Sequence, residues 1–236
     1  MMLLFLSCQK DNPLPPAINY GYNYFPNTAK HYIIYNVDST VRNTLKATPD
    51  TTYKYQIKEE IDSIFPDGSG RPTQRVVRYK RADSTKPWLV EKVWSANLTS
   101  LNAQRDEDNI IYVRLIFPVK LNATWNGNAY NTINNNDGSS YQYTSVDQPF
   151  TWNNTKFDST LVVIEDSTQN FVSHRFYMER YARNVGRIYR KYIDLESDSI
   201  YYPLGFYNLP VSDTLLQKLA TGSVVYVESY VSTGND

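Results

Sequence analysis

Cysteine is almost missing from this 236-residue chain, which has one, Cys8. A lone thiol forms no intramolecular disulfide and no paired-thiol metal or redox centre. Histidine occurs twice, as His31 and His174. Their separation in sequence leaves no local pair for a metal or a catalytic triad, and HExxH is absent. Surplus charge is missing too, with 24 basic residues against 24 acidic ones. Without a positive excess the surface as a whole does not gather DNA, RNA or anionic lipid, so nucleic acid is not expected as a partner. No apolar run reaches the length of about 18 residues that a membrane-spanning helix needs. Phosphate-binding GxxxxGK[ST] and GxGxxG loops and a GxSxG nucleophile elbow are absent, so a nucleotide enzyme or an α/β-hydrolase is disfavoured and no cofactor is implied.

What the chain does have is tyrosine, 21 against 9 phenylalanines. An apolar ring with a polar tip suits strands with one buried and one wet face. Period-two alternation, the mark of such strands, dominates. It marks His31 to Asp38, with Ile33, Tyr35 and Val37 on one side. In Thr51 to Asp62, Tyr53, Tyr55, Ile57 and Ile61 alternate with Lys54, Gln56, Lys58, Glu60 and Asp62. Pro66-Asp67-Gly68-Ser69-Gly70 is a turn, after which Thr73 to Arg81 and Trp88 to Trp94 continue a meander. Ile110 to Val119, Phe157 to Glu165 and Val224 to Val231 read as further strands. Phe171 to Ala182 and Val185 to Leu195 form a hairpin about Arg183-Asn184, where Gly186 would permit a bulge or a close strand contact. Polar Asn97 to Asn109 reads as a loop with a short helical turn. Trp125-Asn126-Gly127-Asn128 contains an Asn-Gly turn. One short helix is expected after Ser212 or Asp213, with Leu215, Leu216 and Leu219 on its apolar side and Gly222 at its end.

So many strands and so little helix predict a mainly β fold, an antiparallel and strongly curved or barrel-like sheet with one or two short helices. A β-sandwich is the alternative. No linker divides two domains.

At the N-terminus, apolar Met1 to Leu6 meets Ser7 and Cys8, then polar Gln9, Lys10 and Asp11. The stretch Leu6-Ser7-Cys8 resembles the lipobox of a bacterial lipoprotein signal peptide. That resemblance implies cleavage before Cys8, acylation of Cys8 with palmitate-type chains, and a signal whose start lies upstream of Met1. The expected division is 1–7 residual signal peptide, 8–24 lipidated tether rich in proline, and 25–236 a single β-rich domain. More broadly, the chain resembles the uncharacterised envelope lipoproteins of Bacteroidota. Four stretches carry the likeness: Cys8-Gln9-Lys10-Asp11; Tyr24-Phe25-Pro26 with Tyr35-Asn36-Val37-Asp38-Ser39; Phe117-Pro118-Val119 with Trp125-Asn126-Gly127-Asn128; and Glu179 to Gly186. The family implies location in the cell envelope, at the outer membrane, and membrane attachment through lipid. It carries no catalytic signature.

Candidate chemistry is sparse. Glu59, Glu60 and Asp62 lie close together, as do Asp106, Glu107 and Asp108, but Glu60 and Asp62 read as a solvated strand face shared with Lys54, Gln56 and Lys58, and the second group as a solvated turn. Arg75 to Arg81 and Arg180 to Lys191 also read as solvated sheet faces. Asn134 to Gly138 lacks the DxDxDG spacing of a calcium loop and reads as a polar turn. The four tryptophans, Trp88, Trp94, Trp125 and Trp152, are the binding candidates. Exposed together they would form a platform for a sugar ring or a protein; buried, they fill core edges. The favoured function is therefore a non-catalytic envelope module that binds a protein, a glycan or an apolar ligand. The alternatives are an envelope hydrolase such as a glycosidase, recognisable by two carboxyls across a cleft, and a structural part of an outer-membrane assembly.

Overall fold

A computed structural model describes residues 19–43, 50–132, 140–169, 173–196 and 223–235. They form a single antiparallel sheet of 12 strands curled into a nearly closed barrel. In chain order the strands are β1 (His31–Arg42), β2 (Asp50–Pro66), β3 (Pro72–Arg81), β4 (Leu89–Leu98), β5 (Asn102–Glu107), β6 (Ile110–Ile116), β7 (Thr124–Trp125), β8 (Tyr141–Trp152), β9 (Thr155–Asp166), β10 (Ser173–Ala182), β11 (Gly186–Glu196) and β12 (Val224–Asn235). The meander from β6 back to β1 joins the meander from β12 back to β7 through the β1–β12 pair, which runs from His31↔Asn235 to Val41↔Val224. Among the described residues the helical content is one 3-10 turn, Tyr22–Tyr24. The helix expected after Ser212 lies outside them.

Turn chemistry places the reversals. Asp108 and Asn109 (φ 56° and 66°) turn β5 into β6, and Asn153 and Asn154 (φ 44° and 65°) turn β8 into β9, both with the positive φ that two-residue hairpins require. Asp67 closes the β2–β3 loop by accepting hydrogen bonds from the Ser69 and Arg71 amides at 2.8 and 2.9 Å. Gly186 (φ 103°) opens β11 against the N-terminal segment, and a Cβ there would stand 2.8 Å from the Pro26 ring.

The barrel closes where β6 meets β7 and β8, largely through side chains. The Tyr143 hydroxyl accepts from the Ile116 amide at 2.9 Å and donates to the Ile116 carbonyl at 2.8 Å. The Trp125 indole donates to the Val113 carbonyl at 2.8 Å, and the Val113 amide donates to the Gly127 carbonyl at 2.8 Å. These bonds satisfy edge groups of β6 that no neighbouring strand reaches. Gly127 is required at this seam because a Cβ would lie 2.3 Å from the Tyr141 ring.

One rim is plugged by the N-terminal segment. Tyr24 is completely buried, and its hydroxyl meets Asp147 at 2.8 Å and Ser159 at 2.7 Å. Arg183 lies over the Tyr24 ring and donates to Asn19 and Asn23. Of the expected tether, Asn19–Tyr24 thus packs against the barrel, while residues 8–18 lie outside the described residues. Phe25, Val76, Trp94, Leu115, Phe117, Tyr143 and Leu161 continue the apolar plug inward.

Polar Asn102–Glu107 is strand β5, paired with β4 and β6, where the sequence suggested a loop. The segment looked unlike a strand because the interior it faces is charged at this level. Strand β8 carries no clean alternation either. Register shifts at three places along its pairing with β9 break its period.

Candidate functional site

The plug does not fill the barrel. Beyond it lies a layer of ion pairs built from inward-facing positions on β2, β3, β5, β6 and β9 to β12. Glu59 binds Arg78 at 2.6 Å, Arg187 at 3.0 Å and Arg105 at 2.7 Å. Glu228 binds Arg78 at 2.5 Å and Arg187 at 2.7 Å, and accepts from the Tyr226 hydroxyl. Glu179 binds Arg187 at 2.9 Å and accepts from Tyr181. The chain of contacts continues from Glu179 to Arg190 (3.5 Å), Arg190 to Glu107 (3.6 Å), Glu107 to Arg114 (3.0 Å) and Arg114 to Glu165 (2.9 Å). Arginines 78, 105, 114, 187 and 190 face glutamates 59, 107, 165, 179 and 228, so the layer is neutral when all are ionised. Buried charges persist only when paired in this manner.

Two expectations are corrected by this layer. Arg78, Arg187 and Arg190 do not lie on solvated sheet faces; Arg78 and Arg187 are buried and Arg190 is enclosed with them. Glu107 is not a solvated turn residue but a buried partner of Arg114. The physical reason is the same for both: inside a barrel, charge on one strand is neutralised by strands distant in sequence. Glu59 also faces inward, beside Ile57 and Ile61, and Glu60 on the other face is buried too, paired with Lys58 at 2.7 Å, so the solvated face expected for Glu60 does not hold there.

Burial alone would raise these carboxyls, and the arginines decide the outcome. For Glu228 and Glu179 the guanidinium groups overcome burial and hold each at about 2. Glu59 and Glu107 are likewise held low against burial. Glu165 goes the other way. Burial raises it, Arg114 offsets this only in part, and Glu179 adds repulsion.

Glu165 sits on the wall of a cavity of about 310 Å³ at the rim away from the plug. Tyr112, Tyr141, Tyr177 and Tyr192 supply its aromatic wall, Arg114, Arg175 and Arg190 its cations, and Glu165, Asp166 and Asp194 its carboxylates. Tyr177 on β10 and Tyr192 on β11 are direct cross-strand partners, and their rings stack with centroids 4.1 Å apart. Both hydroxyls donate to Asp194, at 3.0 and 3.2 Å, and Arg175 lies 3.5 Å from the same carboxylate. Segments 44–49, 133–139, 170–172 and 197–222, which connect strand ends at this rim, lie outside the described residues.

The tryptophans are dispersed. Trp88 precedes β4 and stacks under the Arg81 guanidinium at 4.0 Å. Trp94 is buried, donates to Asp108 at 3.2 Å, and has Arg78 over its ring. Trp125 belongs to the closing seam, against Tyr143 at 4.6 Å. Trp152 packs on Tyr189 and stacks beside Phe150 near the tip of the β8–β9 hairpin. Among the described residues no ring contact joins two tryptophans. Cys8 and the 134–138 loop lie outside the described residues. Among those described, no group of three or more His, Cys, Asp or Glu side chains is placed to hold a metal ion. Nor is any helix long and apolar enough to cross a membrane, which says nothing of strands.

The cavity residues escaped notice in the sequence because they come from β6, β8, β9, β10 and β11. The available signal was the recurrence of Arg, Tyr and acidic residues at period two in Arg175 to Tyr181 and Arg187 to Asp194. It says that two faces exist, not which one is enclosed.

No family model and no curated protein matches the chain. Among solved structures, a Bacteroides fragilis protein proposed to be exported and described as having a YmcC-like fold is similar with a TM-score of 0.42 and 12% identity, over 88% of this chain and 98% of that one.

Proposed function

We propose that this protein is a cell-envelope lipoprotein, held at the outer membrane by acylated Cys8, whose barrel binds a hydroxylated, sugar-like ligand in the tyrosine-lined cavity. The lipobox-like Leu6-Ser7-Cys8 supports the compartment and the anchor. The observation that carries the ligand class is the wall itself: stacked Tyr177 and Tyr192 beside Asp194 and Arg175, over a floor of paired charges. An apolar ligand would strip water from those charges without replacing their hydrogen bonds. An anionic ligand would find three cations already matched by three carboxylates. A ring bearing several hydroxyl groups meets donors and acceptors of both kinds, with aromatic surface beside them, and the volume lies at the small end of ligand sites.

A second reading uses the same cavity. Glu165 holds its proton more tightly than an ordinary glutamate, as a general acid does, and Asp166 and Asp194 share its walls. Its close Arg114 favours the binding role over this one.

A glycan array and titration calorimetry on the purified chain separate the readings. The expected result is retention of envelope glycans without release of reducing ends, weakened about tenfold or more by Tyr177→Ala or Asp194→Asn. Release of reducing ends that Glu165→Gln abolishes would establish the hydrolase. Failure to retain any glycan, or retention indifferent to both wall variants, would remove the cavity from consideration.

A further inference from the structure

Tyr20 (40%), Leu101 (70%) and Leu121 (57%) stand exposed at the plugged rim on three separate segments, and Ile64 (38%) and Phe65 (44%) stand exposed where β2 ends on the same side. The segments are tied together. The Val119 amide donates to the Tyr20 carbonyl at 3.0 Å, the Phe117 amide to the Leu101 carbonyl at 2.8 Å, and the Tyr22 hydroxyl to the Ser100 carbonyl at 3.0 Å. Lys120, exposed beside Leu121, makes no ion pair among the described residues.

Neither leucine side chain helps to make its turn. Thr99 already closes the β4–β5 turn, donating its amide to the Asn102 carbonyl at 2.8 Å and accepting from the Leu101 amide at 3.2 Å. After Leu121 the reversal is made by Asn122, which adopts φ 64° and donates to the Tyr143 carbonyl at 2.8 Å. Turn tips favour small polar residues, so leucines there bury nothing within the molecule. Midway along the outward side of β1 and β2 and on to the far end of β3 the surface is polar, where Asn36, Gln56 and Arg81 form a hydrogen-bonded ladder at 2.8 and 2.8 Å, and a second exposed apolar group, Tyr53, Leu89 and Val90, lies toward the opposite rim.

The same rim is where the chain enters. Ten residues separate Cys8 from Asn19, which even fully extended span no more than about 40 Å. A lipid on Cys8 therefore keeps this rim within reach of the bilayer surface. Tyrosine belongs at the boundary between headgroups and acyl chains, leucine just below it, and lysine beside anionic headgroups.

We infer that the rim formed by Tyr20, Leu101, Leu121 and Lys120 docks on the membrane that carries acylated Cys8. The barrel then stands on its plugged end with the tyrosine-lined cavity turned outward. This inference rests on the acylation proposed above.

The test uses the acylated full chain in vesicles of phosphatidylethanolamine and phosphatidylglycerol. Acylation blocks the native cysteine, so an environment-sensitive fluorophore couples only to a cysteine introduced by Leu101→Cys, by Leu121→Cys or, at the opposite rim, by Tyr53→Cys. Docking to a depth of about 5–10 Å is expected to blue-shift the emission at 101 and 121 and let shallow spin-labelled lipids quench it by about half, with no change at 53. Emission at 101 and 121 that lipid does not quench overturns the inference while leaving the anchor intact. A blue shift without quenching also overturns it and assigns the rim to a second copy of the chain. Coupling of the fluorophore to the unsubstituted chain shows a free Cys8, and then the acylation fails and the inference with it.

Discussion

Arg187 shows how far a single side chain's environment can depart from what its neighbours in sequence suggest. It lies in a run of alternating basic and aromatic residues, yet it is buried and contacts Glu59, Glu179 and Glu228 from three other strands. Removing it leaves three carboxylates that lose their shared cation in a low-dielectric interior. Arg187→Met is therefore expected to destabilise the fold by about 3–5 kcal/mol, read from urea unfolding. Combining it with Glu228→Leu should cost less than the two single changes summed, because the pair is then replaced rather than broken. Strict additivity would show that the two do not act as a unit. Exposed Arg75, which pairs with Asp62 at 2.7 Å, is the contrast: its replacement by alanine should cost about 1 kcal/mol or less.

At the level of elements, the weakest point is the seam, where β6 relies on side chains rather than a full neighbouring strand. Tyr143→Phe keeps the buried ring but strips the Ile116 amide and carbonyl of their partner. The expected cost is about 1–3 kcal/mol, accompanied by faster hydrogen exchange in β6 than in β1, which is paired on both sides. Unchanged exchange in β6 would show that the seam does not limit opening. The same contrast explains which elements were legible. Strands β1 and β2 carry period two in plain residue types, β9 shows an apolar centre, and turn residues bound most of the others, so the antiparallel, barrel-like class follows from them. Strand β5 did not, since Arg105 and Glu107 occupy positions where apolar residues would have signalled an inward face. Strand β8 did not, since its bulges displace the period. The tryptophans drew attention by residue type, but Trp94 and Trp125 spend their indoles on the wall and the seam. The cavity instead assembles ordinary Tyr, Arg and Asp residues from five strands, and only closure of the sheet makes them neighbours.

For the whole molecule, a layer of paired charges across a barrel makes stability a function of pH, and the sign follows from the carboxyls. Glu179 and Glu228 are held at about 2 by arginines that outweigh burial, whereas in the unfolded chain each titrates near its usual 4.5. Their contribution is present in full above 4.5 and is lost as pH falls from there toward 2. Each is worth about 1.4 kcal/mol for every tenfold difference in proton affinity between the folded and unfolded states. Glu59 and Glu107, also held low, add in the same direction. Glu165 opposes them, because its raised affinity lets the folded state take up a proton above 4.5, a small gain in stability as pH falls toward that value. Tm is therefore expected to hold or rise slightly between pH 7 and 5, then drop steeply below pH 4.5. Glu165→Gln should remove the slight rise and keep the collapse, whereas Glu228→Gln should lower Tm at neutral pH and flatten the acid limb. A Tm that stays level down to pH 2.5 would show that the ion-pair layer does not set the acid stability of the barrel.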